Sequence, residues 1–562
     1  MTGRYIPLVV AAASILLFAI PASVAGSDRP GIFEAVEAAY QAGQIDRNQM
    51  LVEEMNIFFT PPPLATSTKA DQSEVLKSGT GLIQDVLDHY DEFSPEQQLA
   101  LAQYLSRPGT QAAYDSPAGF FKIHYDTTGP EAVPAQDDDL DGIPDYVERT
   151  AQYADSSWLS YVVHLGYYPP PSDHGGGGDD RYDIYLLAIS GYGATLPESA
   201  GDSTWSDYSS FMLIHRNFYG FLPNYDPAGD SIGAQKVTCA HELFHAVELA
   251  YDRYESLWWM EACATRMEDI VFPEVDDNYN YLPYFFYEPE TNLQSTEGYH
   301  MYGAFVWPLF LDLKFGSPVI RGIWEYCRFR QDLEAIDSGL AVYGATTVGV
   351  FPEFAYWNYF TGYRAVPGEY FPDASMYPAA DVDLTFTTLV QDSVTPVNKP
   401  EGLACNYIEF AVDTSARGIL SLHLKGAEFV SWAMTGIIRD GGDGTLITKN
   451  SFLGNPIDIY LPFIEDYTRV TAVPTVVSPN VSGGDYVLSC TLYGYGDCNQ
   501  DRKVNVGDAT YIIGYIFRGG PVPIPVLPSG DANCDGKINV ADAVYIVTYI
   551  FRGGPKPCAA RN

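Results

Sequence analysis

The stretch Thr238-Cys239-Ala240-His241-Glu242-Leu243-Phe244-His245-Ala246-Val247-Glu248 constrains this chain more than any other. Two histidines four residues apart, with a glutamate directly after the first, make joint chemical sense on an α-helix, where positions i and i+4 share a face. On that helix His241 and His245 can aim imidazole nitrogens at one ion. Glu242, one step round, can reach a water on the ion without binding it. Val237, Ala240, Leu243, Phe244, Val247 and Leu249 supply enough apolar surface for the helix to be buried. The pattern His-Glu-x-x-His points to zinc-dependent hydrolysis; the bland alternative is a pair of hydrogen-bonded core histidines.

Two imidazoles do not complete a catalytic zinc site, which takes three protein ligands and keeps a position open for water. The next dense stretch, from Ser256 to Asp269, reads as a second helix, folded back on the first by a turn around residues 251–255. Within it Trp258, Glu261 and Ala264 form Trp-x-x-Glu-x-x-Ala. This resembles the gluzincin branch of the zincin peptidases. The resemblance implies that Glu261 is the third zinc ligand beside His241 and His245, with Glu242 as the catalytic base. It also implies an oxyanion-stabilising Tyr or His further on. Tyr302, His300 and Tyr299 in Gly298-Tyr299-His300-Met301-Tyr302 are the candidates, with aromatic packing as their other role.

The tail carries an internal repeat. Asp497, Asn499, Asp501, Asn505 and Asp508 recur as Asp531, Asn533, Asp535, Asn539 and Asp542, at positions one, three, five, nine and twelve of two loops. Each loop precedes an apolar helix ending in Tyr-Ile-Phe-Arg-Gly-Gly-Pro. Oxygen donors at these positions form a calcium loop. The pair resembles a type I dockerin, which implies Ca2+ and a cohesin partner on a scaffold or cell surface. Arg502 stands where the second copy has Gly536. A further acidic loop, Asp137, Asp139, Asp141, Asp145 and Glu148 with Gly142 at position six, has the same spacing and is read as another calcium site.

Arg4, the apolar run Leu8 to Ile20, and Ser23-Val24-Ala25 form a signal-peptide pattern, residues 1–25. No later run is long enough for a membrane helix, so the mature chain is expected outside the cytoplasm, secreted or held at the cell surface. The net charge of −41 argues against nucleic acid as a partner, since phosphates would be repelled. In an oxidising compartment Cys534 and Cys558, which bracket one small motif, are expected to pair, and Cys405 with Cys490 is a second candidate. Cys239 and Cys263 are not expected to pair.

The expected fold is multidomain α+β. Residues 26–115 read as helical, with Ser94 capping a helix that starts at Pro95; a pro-region over the active site and an ordinary subdomain fit equally. Residues 116–380 read as the zincin-like domain, in which the strand Phe211–His215 is expected beside the active helix. Residues 381–495 alternate as a β-sandwich. Residues 496–562 form the small all-α dockerin-like tail. The acidic-loop and zinc motifs together resemble a family of secreted bacterial zinc metallopeptidases over about residues 30–495. The function expected is a secreted zinc endopeptidase acting on protein or peptide substrates. Its rivals are a surface-attached binding protein with an inactive zincin domain and a non-peptidase zinc hydrolase.

Overall fold

The computed structural model describes residues 31–60, 75–413, 416–439, 446–462 and 464–558; the expected leader lies outside them. It shows a multidomain α+β chain. Strands β1 (Ala112–Asp115), β2 (Phe121–Tyr125), β3 (Tyr182–Leu187), β4 (Gly193–Ala200) and β5 (Tyr208–His215) form one sheet in the order β1-β2-β3-β5-β4. β2, β3 and β5 are parallel, and the edge strands β1 and β4 run antiparallel to their neighbours.

Successive side chains of a strand face opposite ways, so both faces of this sheet must be covered. Tyr185, Phe211 and Leu213 face the helices α1 (Ile32–Gln41), α2 (Arg47–Phe59), α3 (Thr80–Asp88) and α4 (Pro95–Ala102), whose Leu51, Met55, Phe58, Ile83, Val86 and Leu101 complete that core. Asp46 caps α2, and Ser94 caps α4 with Pro95 in its first turn, as the sequence indicates. Ile184, Leu186, Met212 and Ile214 face the other way, into the core shared with α5 (Asp145–Trp158) and α6 (Asp230–Glu248).

α7 (Leu257–Val271) returns against α6. The chain continues through α8 (Pro283–Phe286), α9 (His300–Gly303), α10 (Val306–Phe315), α11 (Pro318–Cys327), α12 (Asp332–Ala341) and α13 (Thr347–Tyr359). Trp259, Trp307 and Trp324 are fully buried among these helices.

The β region comprises β6 (Leu384–Phe386), β7 (Gln391–Val394), β8 (Ala404–Cys405), β9 (Ile408–Ala411), β10 (Ile419–Gly426), β11 (Trp432–Arg439), β12 (Leu446–Leu453), β13 (Ile457–Leu461), β14 (Arg469–Val476) and β15 (Tyr486–Tyr493). They form a four-stranded sheet, β13-β10-β15-β7, and a second sheet, β12-β11-β14-β9-β6, with β8 paired to β14. Leu422, Ile459 and Leu488 from one sheet meet Phe410, Met434 and Val470 from the other in a common core. The outer face of the larger sheet is apolar too. Its Ala433, Ile437 and Val473 join the helical core, and Tyr359 reaches across to Glu409 at 2.6 Å.

This packing decides the cysteines. Cys534 and Cys558 are bonded as expected. Cys405 and Cys490 are not: Cys405 packs in the helical core and Cys490 in the sandwich core, on opposite sides of the larger sheet. Cys239 and Cys263 are unpaired.

In the tail, α14 (Val506–Arg518) and α15 (Val540–Arg552) pack against each other. Each begins at an asparagine cap, Asn505 or Asn539, and ends at a left-handed glycine, Gly519 or Gly553. No helix among the described residues is long and apolar enough to cross a membrane.

Candidate metal centre

The motif helix is α6, and it packs against both β4 and β5. The strand expected beside it, Phe211–His215, is interior; the sheet edge is β4. Gly193 opens that strand because nothing larger fits: an added Cβ would lie 2.7 Å from Glu242 Cγ and 2.8 Å from the Leu213 carbonyl. The missing side chain lets α6 approach the sheet closely.

The structure brings His241, His245 and Glu261 together. His241 Nε2 lies 3.1 Å from His245 Nε2 and 3.0 Å from Glu261 Oε2, which is 3.4 Å from His245 Nε2. Donors on a tetrahedral zinc with bonds of about 2.0–2.1 Å stand about 3.3 Å apart, so the set fits that ion. Each imidazole is held from behind. His241 Nδ1 meets Glu268 Oε1 at 2.8 Å, and His245 Nδ1 meets Glu248 Oε2 at 2.7 Å. Carboxylates in that position fix the ring orientation and turn the far nitrogen to the metal. Glu261 Oε1 and Glu242 Oε1 are buried without a hydrogen-bond partner.

Charge makes the same point. Glu242, Glu248, Glu261, Glu268 and Asp277 are all at most 1% exposed, and Lys77 is the buried ammonium among them. Counting His241 and His245 with Lys77, five carboxyl groups still outnumber three basic groups, an excess that desolvation makes costly without a further cation or a retained proton. Burial acts to raise the Glu261 carboxyl, yet the adjoining His245 and His241 bring it down to about 2. Glu248 goes the other way: burial outweighs His245 and pushes it up to about 8.

Glu242 Oε2 accepts hydrogen bonds from Thr80 at 3.0 Å and Thr195 at 2.9 Å. The Tyr302 ring lies 6.2 Å from the His241 ring. Burial, with Glu261 nearby, keeps its phenol protonated well above the usual tyrosine range. His300 sits elsewhere. It packs on Phe285 and lines a cavity with Phe286, Phe351 and Tyr407. Glu248, Glu268, Thr80 and Thr195 were not singled out from the sequence. Only Glu248, three residues after His245, had a local signal.

Two acidic groups stand apart from this centre. Asp137, Asp139 and Asp141 converge in the loop before α5, and Asp145 accepts from the Asp138 amide at 2.9 Å. The Glu148 carboxyl, in the first turn of α5, is raised by burial and then by Asp139 and Asp141. Asp497, Asp501 and Asp508 converge in the tail. Asn499 accepts from the Asp501 amide, and Asn505 caps α14. In the second loop Asp531 and Asn533 accept from the Asp535 amide, Asp542 accepts from the Asn533 and Asn539 amides, and Asn539 caps α15.

Residues 495–551 match the Dockerin type I domain. No curated protein matches the chain. Among solved structures, a pre-peptidase C-terminal domain of a collagenase from Bacillus anthracis is similar at 13% identity. The match covers 20% of this chain and 97% of that one, with a TM-score of 0.16.

Proposed function

We propose that this protein is a secreted zinc-dependent endopeptidase that its dockerin tail attaches to a cohesin on a scaffold or cell surface. The supporting observation is the convergence of His241, His245 and Glu261 on one point, with Glu242 beside it and carboxylates behind both histidines.

Zn2+ held by these three residues would supply a Lewis acid for a scissile carbonyl and acidify its water. Glu242 Oε1, buried and unpartnered, takes the proton of that water and returns it to the departing amine. Thr195 holds the other Glu242 oxygen and fixes the carboxylate plane. Tyr302, kept protonated and with its ring beside that of His241, would donate to a developing oxyanion. His300 receives no role here. In the tail, Asp497, Asp501 and Asp508 with Asn499 would hold one Ca2+, and Asp531, Asn533, Asp535 and Asp542 a second. The loop of Asp137, Asp139 and Asp141, with Glu148, would hold a third.

Elemental analysis of the wild type and His245→Ala tests the centre. One zinc per chain, lost in the variant, is expected; no zinc in either after zinc has been offered removes the reading and favours a binding protein. Glu242→Gln should retain zinc and lose peptide hydrolysis. Retained turnover in that variant would show that another group moves the proton.

A further inference from the structure

A sheet edge beside a hydrolytic centre is where an extended peptide adds its backbone. Here that position is taken by the chain itself. Residues 75–79 pair with residues 190–193, which lead into β4 at Gly193. The Leu76 amide donates to Ser190 O at 3.0 Å, the Tyr192 amide to Leu76 O at 2.9 Å, and the Gly79 amide to Gly193 O at 2.9 Å. The pairing of Leu76 with Gly191 is parallel.

Two side chains of this segment reach the centre. Thr80 holds a Glu242 oxygen. Lys77, 2% exposed, enters a cage: Nζ is 2.7 Å from Asp277 Oδ2 and 3.1 Å from Glu268 Oε2, and sits 4.8 Å and 5.4 Å from the Tyr192 and Tyr281 ring centres. Two carboxylates and two aromatic faces are a receptor for an ammonium or guanidinium. As a fold-stabilising device the lysine is weak, since a buried ion pair is often matched by apolar packing. As a specificity device it is strong, because an apolar side chain there would leave two carboxylates buried and uncompensated.

We infer that residues 75–80 are a tethered occupant of the substrate strand, and that the Glu268–Asp277–Tyr192–Tyr281 cage they fill selects peptides bearing a lysine or arginine side chain. This rests on the peptidase reading above. While Thr80 sits on Glu242 and the segment holds the edge of β4, the cleft is closed to other peptides. Displacement of the segment opens the edge and the cage together.

The test uses the full chain as wild type, Lys77→Met and Gly79→Ala. A Cβ at position 79 would lie 2.4 Å from Phe58 Cζ, so Gly79→Ala loosens the segment while leaving Lys77 and the cage chemically intact. It keeps the test open if Lys77→Met does not fold. Fluorescence anisotropy reads binding of a labelled peptide Val-Leu-Lys-Ser-Gly-Thr and of its analogue with methionine for lysine; zinc per chain is measured alongside. The wild type should bind neither peptide. A folded variant should bind the lysine peptide about tenfold more tightly than the analogue, at unchanged zinc content. Equal binding of the two peptides, or wild-type binding as tight as the variants', would overturn the inference. Absence of zinc with lysine discrimination intact would remove the peptidase reading and leave the cage standing.

Discussion

Glu248 isolates the contribution of the carboxylates behind the histidines. It is fully buried, and its Oε2 lies 2.7 Å from His245 Nδ1. Removing such a partner costs about 10–100-fold in metal affinity, or about 1.4–2.7 kcal/mol. Glu248→Gln keeps the side-chain volume and offers an amide oxygen, but without charge, and should fall near the tenfold end. Glu248→Ala leaves the imidazole N–H without an acceptor in a dry core and should fall near the hundredfold end. Zinc affinity measured by competition with a chromophoric chelator at pH 9, above the value of about 8 to which burial pushes the Glu248 carboxyl, reads both. An order wild type, Gln, Ala supports the argument that charge and geometry are both used. Wild-type affinity in the Ala variant would refute it, and would mean that His245 is oriented by packing alone.

Gly193→Ala should lower the melting temperature through overpacking of about 1–3 kcal/mol, because β4 and α6 would have to separate; an unchanged melt would show that the helix can shift freely. His215 is buried, and its Nδ1 accepts from the Asn217 and Phe218 amides at 3.2 Å and 3.1 Å. Burial, with Arg216 nearby, lowers its pKa to about 3, so the folded protein keeps it neutral while the unfolded chain takes a proton from about 6.5 downward. Its stabilising contribution is complete above pH 6.5 and drains away as pH falls toward 3, by about 3–5 kcal/mol in total. His215→Asn, which can keep the acceptor, should flatten the thermal-stability profile between those pH values; an identical slope would contradict the assignment. Arg502 occupies a left-handed position, φ 63°, where its counterpart Gly536 has φ 81°. Arg502→Gly should relieve about 1 kcal/mol of strain and tighten calcium at the first tail loop, as calorimetric titration would report.

Some of this protein was written locally in its sequence. The spacing of His241, Glu242 and His245 requires a helix, and Glu261 follows on the next one, so the three candidate ligands are separated by only a short turn. The tail loops are equally local: their oxygen donors recur within twelve residues, and Asn505 and Asn539 cap the helices that follow them. Ser94-Pro95 marked the start of α4 for the same reason. Periodicity, capping and ligand spacing operate over a few residues, and a single sequence exposes them.

Only the tertiary structure decided what surrounds the centre. Thr80 meets Glu242 across 162 residues of chain, and Lys77 meets Glu268 across 191. Neither contact leaves a periodic trace, because each depends on where α3 and the preceding segment are laid against the sheet. The edge position of β4 follows from strand order, which alternation within one strand does not encode. Cys405 and Cys490 looked pairable because both sit in strands of one region, yet a sheet separates their cores. Chemistry that fits within two turns of helix was legible from the sequence. The carboxylates, hydroxyls and lysine that condition that chemistry come together only when distant segments share one dry interior.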